Sequence, residues 1–226
     1  MPKQKALIAT AILVVSALML LVGLGDGALW DDEANTALFA KSVWRTGDTG
    51  AVLDHNIIAY REGAELTNRR NRYISPLAYY LAAPSIGIRG DTAFAARLPF
   101  ALCGLLTIGV MIRWMWRDVA RIETWLLMGA GIVSNVSLML YCRQARYFGP
   151  AILLTTLLIY LHYHRSGRKR TLLAEAIISV LLLASNYLVH VATFTVLLVD
   201  YLFWGRKRRP MTWRNGLILF VPQLIL

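Results

Sequence analysis

The chain has 226 residues, of which 57% are hydrophobic, with a mean hydropathy of +0.52; it is long enough for one soluble domain and too apolar to be one. A net charge of +11 and a pI near 10.1 would suit nucleic acid, but the basic residues fall in short clusters between apolar runs of spanning length. That arrangement orients membrane helices and sets nucleic acid aside as a partner. The composition therefore predicts an all-α, polytopic transmembrane helical bundle.

Lys3 and Lys5 precede an apolar run from Ala6 to Gly25. About 20 residues without a small-x-small cleavage site read as an uncleaved first span, its N-terminus cytoplasmic. Residues 26–92 then form the first extracytoplasmic loop.

That loop opens on Leu29-Trp30-Asp31-Asp32-Glu33, three carboxylates where a membrane surface begins. One acid suffices to cap a helix, and Asp31 is placed to do so, with Asp32 and Glu33 in the first turn. From Glu33 to Trp44, the residues Ala37, Leu38, Lys41 and Trp44 share a face, which predicts an amphipathic helix lying in the interface. Gly47-Asp48-Thr49-Gly50 ends it, and a polar, irregular stretch follows through His55, a lone loop histidine, and the basic cluster Arg69, Arg70 and Arg72. The apolar segment Ser75 to Ile88 would cover only about 21 Å as a helix, against a hydrocarbon core of about 30 Å. It is expected to lie on or dip into the membrane through Leu77, Tyr80, Leu81, Pro84 and Ile88, with the tyrosines at headgroup depth.

Full spans are expected from Phe94 to Trp116, from Thr124 to Leu140 and from Phe148 to His162. The stretch Leu172 to Trp204 holds two short spans turning near Asn186 to His190, and a seventh begins at Leu217. With residues 75–88 not crossing, 14 of the 24 basic residues face the cytoplasm and 9 of the 13 acids face outward. A crossing there would put the clusters at 165–170 and 206–209 outside, against the positive-inside tendency. Because the chain stops inside a span, it is expected to be an N-terminal portion of a longer protein.

Cys103 and Cys142 make neither a disulfide framework nor a Cys/His metal motif. Two other outer sites can carry chemistry. One is the set Asp31, Asp32 and Glu33; the other is Arg143 and Arg146, three apart on one side of a helix, with Tyr147 one turn from Arg143. Guanidinium forks suit phosphate oxygens, although arginines at a helix end also snorkel without other duty. His190, with Asn186 and Tyr187, marks a polar turn that is structural or substrate-binding. Carboxylates and arginines together suit group transfer from a lipid phosphate, the arginines holding the leaving phosphate and a carboxylate taking the acceptor's proton. Three nearby carboxylates can also take a divalent cation through oxygen ligands, so that cofactor stays open.

In order along the chain, Trp30-Asp31-Asp32-Glu33-Ala34 with Gly47-Asp48, Ser75-Pro76-Leu77-Ala78-Tyr79-Tyr80-Leu81, and Ala96-Arg97-Leu98-Pro99 with Gly104-Leu105-Leu106-Thr107 form a recognisable set. So do Tyr141 through Tyr147, as an Arg-x-x-Arg-Tyr segment, and Asn186 through His190, as a Tyr-x-x-His turn. This set resembles the polyprenyl-phosphate-sugar-dependent membrane glycosyltransferases of the GT-C fold, the protein O-mannosyltransferase and lipid A aminoarabinose transferase superfamily (glycosyltransferase family 39 and relatives). The resemblance implies an inverting transfer of a sugar from a polyprenyl phosphate to a protein, lipid or glycan acceptor on the extracytoplasmic face of the cell membrane. It implies Asp32 as general base, Glu33 as acceptor-orienting acid, and Arg143, Arg146, Tyr147 and His190 around the substrates. Many relatives carry a double proline, often after a lysine, where this chain has Ile74-Ser75-Pro76, which leaves Arg72 to take the lysine's place. Such enzymes commonly run to about twice this length. The alternative is a non-enzymatic multi-pass protein, a lipid or solute transporter or an assembly subunit, in which the same acids and arginines make structural ion pairs.

Overall fold

The computed structural model describes residues 2–58, 60–64, 66–72, 74–165, 169–205, 212–220 and 223. The chain is mostly helical and divides into two compact units, Met1–Pro150 and Ala151–Leu226. The basic residues Arg168 and Arg206 to Arg209, and the end of the last apolar run at Leu224 to Leu226, lie outside the described residues.

The first unit is framed by α1 (Pro2–Leu21) and α4 (Ala93–Asp118). At 1.5 Å per residue these are about 30 and 39 Å long, enough to cross a hydrocarbon core of about 30 Å. One face of α1, with Ala9, Ile12, Ser16 and Leu20, packs inward, whereas Leu7, Val14, Leu18 and Val22 stay exposed. A helix apolar on all sides suits lipid rather than water. The third run expected to span is broken: α5 (Ile122–Val133) and α6 (Val136–Cys142) meet at a bend of 49°. Asn135 is the cause, because its side chain accepts the Leu138 N–H at 2.9 Å and starts a new helix.

Between α1 and α4 lie α2 (Asp31–Thr46), two short antiparallel hairpins and α3 (Leu77–Arg89). Gly47, at φ 77°, stops α2 by donating its N–H to the Val43 carbonyl. The segment expected to be irregular pairs instead as β1 (Val52–Leu53) with β2 (Asn56–Ile57), and β3 (Leu66–Thr67) with β4 (Arg70–Asn71). In the second hairpin Asn68 and Arg69 both have positive φ, which fits a two-residue turn matched to strand twist.

α2 and α3 pack closely. Phe39, Ala40 and Val43 meet Ala78, Tyr79, Ala82 and Ala83, and a Cβ at Gly87 would collide with the Trp44 indole. On the outer side Leu38, Trp44, Tyr80 and Ile88 are exposed, while Lys41 bridges Asp91 at 2.5 Å. The core thus sits among α2, α3 and the start of α4, beyond the end of α1.

The second unit contains most of α7 (Phe148–Tyr163), then α8 (Lys169–Ser185), α9 (Tyr187–Asp200) with a π-helical turn Tyr201–Gly205, and α10 (Trp213–Phe220). The turn near Asn186 lies where it was expected, since Asn186 caps α9 by accepting the Val189 N–H at 2.9 Å. A hydrogen bond between His162 and Asp200 at 3.0 Å and an ion pair between Arg165 and Glu175 at 2.5 Å tie these apolar helices together. In the described chain three helices are long and apolar enough to cross a membrane, Pro2–Leu21, Ala93–Asp118 and Tyr187–Gly205, and a fourth if the bent pair counts as one span. α7 is apolar but has only 16 residues.

Candidate functional site

α1 fixes which residues share an end of the first unit. At its start Lys5 donates to the Val119 carbonyl at 2.6 Å, joining the end of α4. At its other end Arg143 donates to the Met19 and Val22 carbonyls at 2.5 and 2.8 Å, and Arg97 donates to the Leu24 carbonyl at 3.2 Å. The carboxylates and arginines singled out in the first unit therefore gather at the end of α1 opposite Lys5.

The helix that presents the acids starts one residue earlier than its acids suggest. Trp30 is the N-cap, without a side-chain cap bond, and Asp31 is the exposed first residue of α2 rather than its cap. All three acids still lie in the first turn, where the helix dipole favours them. Glu33 stands at the third position of the helix, where a capping-box acid sits, and the nearby Trp30 backbone N–H helps hold its carboxyl down.

Glu33 is 1% exposed and fully engaged. Arg97 donates Nε to Oε1 at 2.9 Å and an Nη to Oε2 at 2.7 Å, and the Ala145 N–H donates to Oε1 at 2.9 Å. Burial raises its pKa, but these bonds and the Arg97 charge outweigh burial and hold it below its ordinary value. Arg97 spends its other donors on the Leu24, Asp26 and Ala28 carbonyls. One carboxylate thus joins α2, α4, the loop after α1 and the segment after α6.

Asp32 turns the other way. Its carboxylate meets an Arg146 Nη at 2.9 Å, both side chains about a fifth exposed. The Arg146 guanidinium lies 5.0 Å from the Trp30 ring, 5.4 Å from Tyr147 and 5.0 Å from Phe148. Such cation–π contacts hold an arginine without using all its donors. Asp32, Arg146 and Tyr147 line a small open cleft together with Asn35, Thr36, Ile74, Ala78 and Tyr79.

Arg143 and Arg146 do not share a helix face. α6 ends at Cys142, the next residues turn, and the two guanidinium groups point to different partners. Arg72 forks onto Asp48 with two bonds of 2.8 Å and adds the Thr49 hydroxyl at 2.9 Å. Arg72, then the Thr49 N–H, hold the Asp48 carboxyl down at about 2, against an ordinary 3.8. His190 belongs to the second unit, where it is buried, stacks on Phe194 and shares a hydrogen bond of 3.1 Å with the Ser179 hydroxyl. His55 is exposed.

Sequence reasoning missed two residues here. Arg97 was visible only as part of a motif, although an arginine one turn into a spanning helix calls for a partner. Asn35, three residues after Asp32 and so on the same helix side, carried no signal of its own. Among the described residues no group of three or more His, Cys, Asp or Glu gathers as a metal site.

Fold and site together define a helical protein with several apolar helices of membrane-crossing size and a charged cleft at one end of its first helix. Comparison with family models, curated proteins and solved structures finds no match for the chain.

Proposed function

We propose that this chain is the transmembrane module of a glycosyltransferase that moves a sugar from a polyprenyl phosphate to an acceptor on the extracytoplasmic face of the cell membrane. The observation that carries this reading is the Asp32–Arg146 pair: a carboxylate and a guanidinium held together, about a fifth exposed, in a cleft lined by α2, α3 and the segment after α6. The motif order from Trp30 to His190 supports it, as does the opposition of the cleft to the cytoplasmic lysines along α1. In this topology residues 75–88 do not cross, and the short apolar helices of the second unit complete the spans.

The chemistry follows from the pair. A donor phosphate competes for Arg146, and as it binds, the Asp32 carboxylate is released toward the acceptor. Asp32 then takes the acceptor's O–H or N–H proton while that atom bonds to the anomeric carbon. The carbon–oxygen bond to phosphate breaks with its electron pair going to the phosphate, whose charge Arg146 neutralises. Attack opposite the leaving group inverts the configuration. Glu33, without a face on the cleft, serves by fixing Ala145 and hence the segment carrying Arg146.

The second reading, a non-enzymatic membrane protein, draws on the other ion pairs. Glu33–Arg97 and Arg72–Asp48 are closed, and Arg143 is engaged by α1. The test is reconstitution of the chain in nanodiscs with radiolabelled farnesyl-phosphate mannose, glucose or arabinose and a membrane extract as acceptor. Time-dependent transfer of label supports the enzyme. No transfer from any of them, by a chain that is folded, supports the second reading.

A further inference from the structure

In the cleft beside Asp32, the buried polar side chains differ in one respect. The Thr36 hydroxyl donates to the Asp32 carbonyl at 3.0 Å, and the Tyr79 hydroxyl accepts from Asn71 at 3.3 Å. Asn35 is only 5% exposed, lines the same cleft, and its Oδ1 has no hydrogen-bond partner.

A buried carbonyl oxygen left unpaired carries a desolvation cost that no hydrogen bond offsets. Leucine, close to asparagine in size, would avoid that cost at a position that lines the same cleft as Ala78 and Tyr79. A polar group kept there without a partner from the chain calls for a donor from outside it. Its position narrows the donor. Asp32 and Asn35 stand three residues apart on α2, so their side chains rise about 5–6 Å apart on one face. Both accept hydrogen bonds, and a carboxylate donates none. A single hydroxyl gives its only proton to one of them; a ring with neighbouring hydroxyls serves both.

We infer that Asn35 is a substrate-binding residue whose Oδ1 accepts a hydrogen bond from a sugar-ring hydroxyl next to the reacting group. This inference rests on the transferase reading. The ring belongs either to the donor sugar or to a glycan acceptor, and the probes below separate the two.

The experiment measures equilibrium binding to the full chain in nanodiscs, wild type against Asn35→Leu, by thermophoresis. The probes are farnesyl phosphate, farnesyl phosphate bearing mannose, glucose or arabinose, and the octyl glycosides of the same sugars. Asn35→Leu should weaken a sugar-bearing probe about three- to tenfold, the worth of one neutral hydrogen bond, and leave farnesyl phosphate unchanged. Loss confined to the farnesyl-phosphate sugars marks the donor sugar; loss in the octyl glycosides marks a glycan acceptor. Equal binding of every sugar-bearing probe by both proteins overturns the assignment and leaves the transferase reading in place. Asn35-dependent binding of an octyl glycoside, with none of any farnesyl probe, overturns the lipid donor and upholds Asn35. No binding of any probe overturns both. A series of deoxy sugars on wild type needs no variant: loss of affinity at one ring position supports the assignment, and indifference to every hydroxyl overturns it.

Discussion

Asp32 and Glu33 are neighbours on α2 and each meets an arginine, yet the two pairs differ in almost every physical respect. Glu33–Arg97 is buried, forked and supported by the Ala145 amide, with the remaining arginine donors spread over three carbonyls. Asp32–Arg146 has its bridge at 2.9 Å, lies partly open, and lines a cleft. Adjacent helical residues point about 100° apart, which is enough to send one carboxylate into the core and leave the other at the surface. A buried pair is costly to break because the survivor stays charged without a partner, whereas an exposed pair contributes little to stability and can be exchanged for a ligand. The same chemical pairing is thus closed and buried in one place and partly open on a cleft in the other, where the proposed function uses it to bind.

The sharpest break in this contrast should come from Glu33→Ala. It leaves Arg97 uncompensated and should lower stability by about 3–5 kcal/mol, read as a large fall in the thermal midpoint in detergent; a change no larger than that of Asp32→Ala would remove the distinction. Next in size, Arg146→Ala should weaken farnesyl phosphate about ten- to a hundredfold, since it removes a charged hydrogen-bond donor. Arg143→Ala should leave that affinity unchanged and lower the thermal midpoint by a few degrees, through loss of about 1 kcal/mol at the end of α1. Equal effects of the two on binding would restore a shared phosphate site.

The smallest expected effect is one of pH. Because the Asp48 carboxyl is held at about 2 in the folded chain against 3.8, its stabilisation is fully present above pH 4 and fades as pH falls toward 2. Exchange protection of the Thr49 amide, which donates to Asp48 at 2.7 Å, should therefore persist at pH 3.5 and drop near pH 2. Loss already complete at pH 3.5 would contradict the Arg72 fork.

Much of this architecture is legible in the sequence because apolar length is a local property. The first span, the one beginning near Phe94 and the turn at Asn186 all follow from runs of residues and their caps. The bend at Asn135 escapes, since one polar residue in an apolar run hardly alters the average while its side chain restarts the helix. The stripes on α2 and α3 are borne out in part: Leu38, Trp44, Tyr80 and Ile88 are exposed, whereas Ala37 and Leu81 pack against the core and Tyr79 is buried in it. What could not be read was which acid goes inward. Arg97 lies 64 residues from Glu33, and Ala145 lies 112 away. No local spacing encodes such pairings, and Asn35 gains its meaning only from the cleft they leave beside it.

The measurement that bears most directly on this account compares wild type with Asp32→Asn in nanodiscs, scoring sugar transfer from the farnesyl-phosphate sugars beside the thermal midpoint. Loss of the general base should reduce transfer by about 10²- to 10⁴-fold, with the midpoint within a few degrees of wild type. Transfer that persists in Asp32→Asn, or a collapse of the fold like that expected for Glu33→Ala, would contradict the assignment of Asp32 to the chemistry.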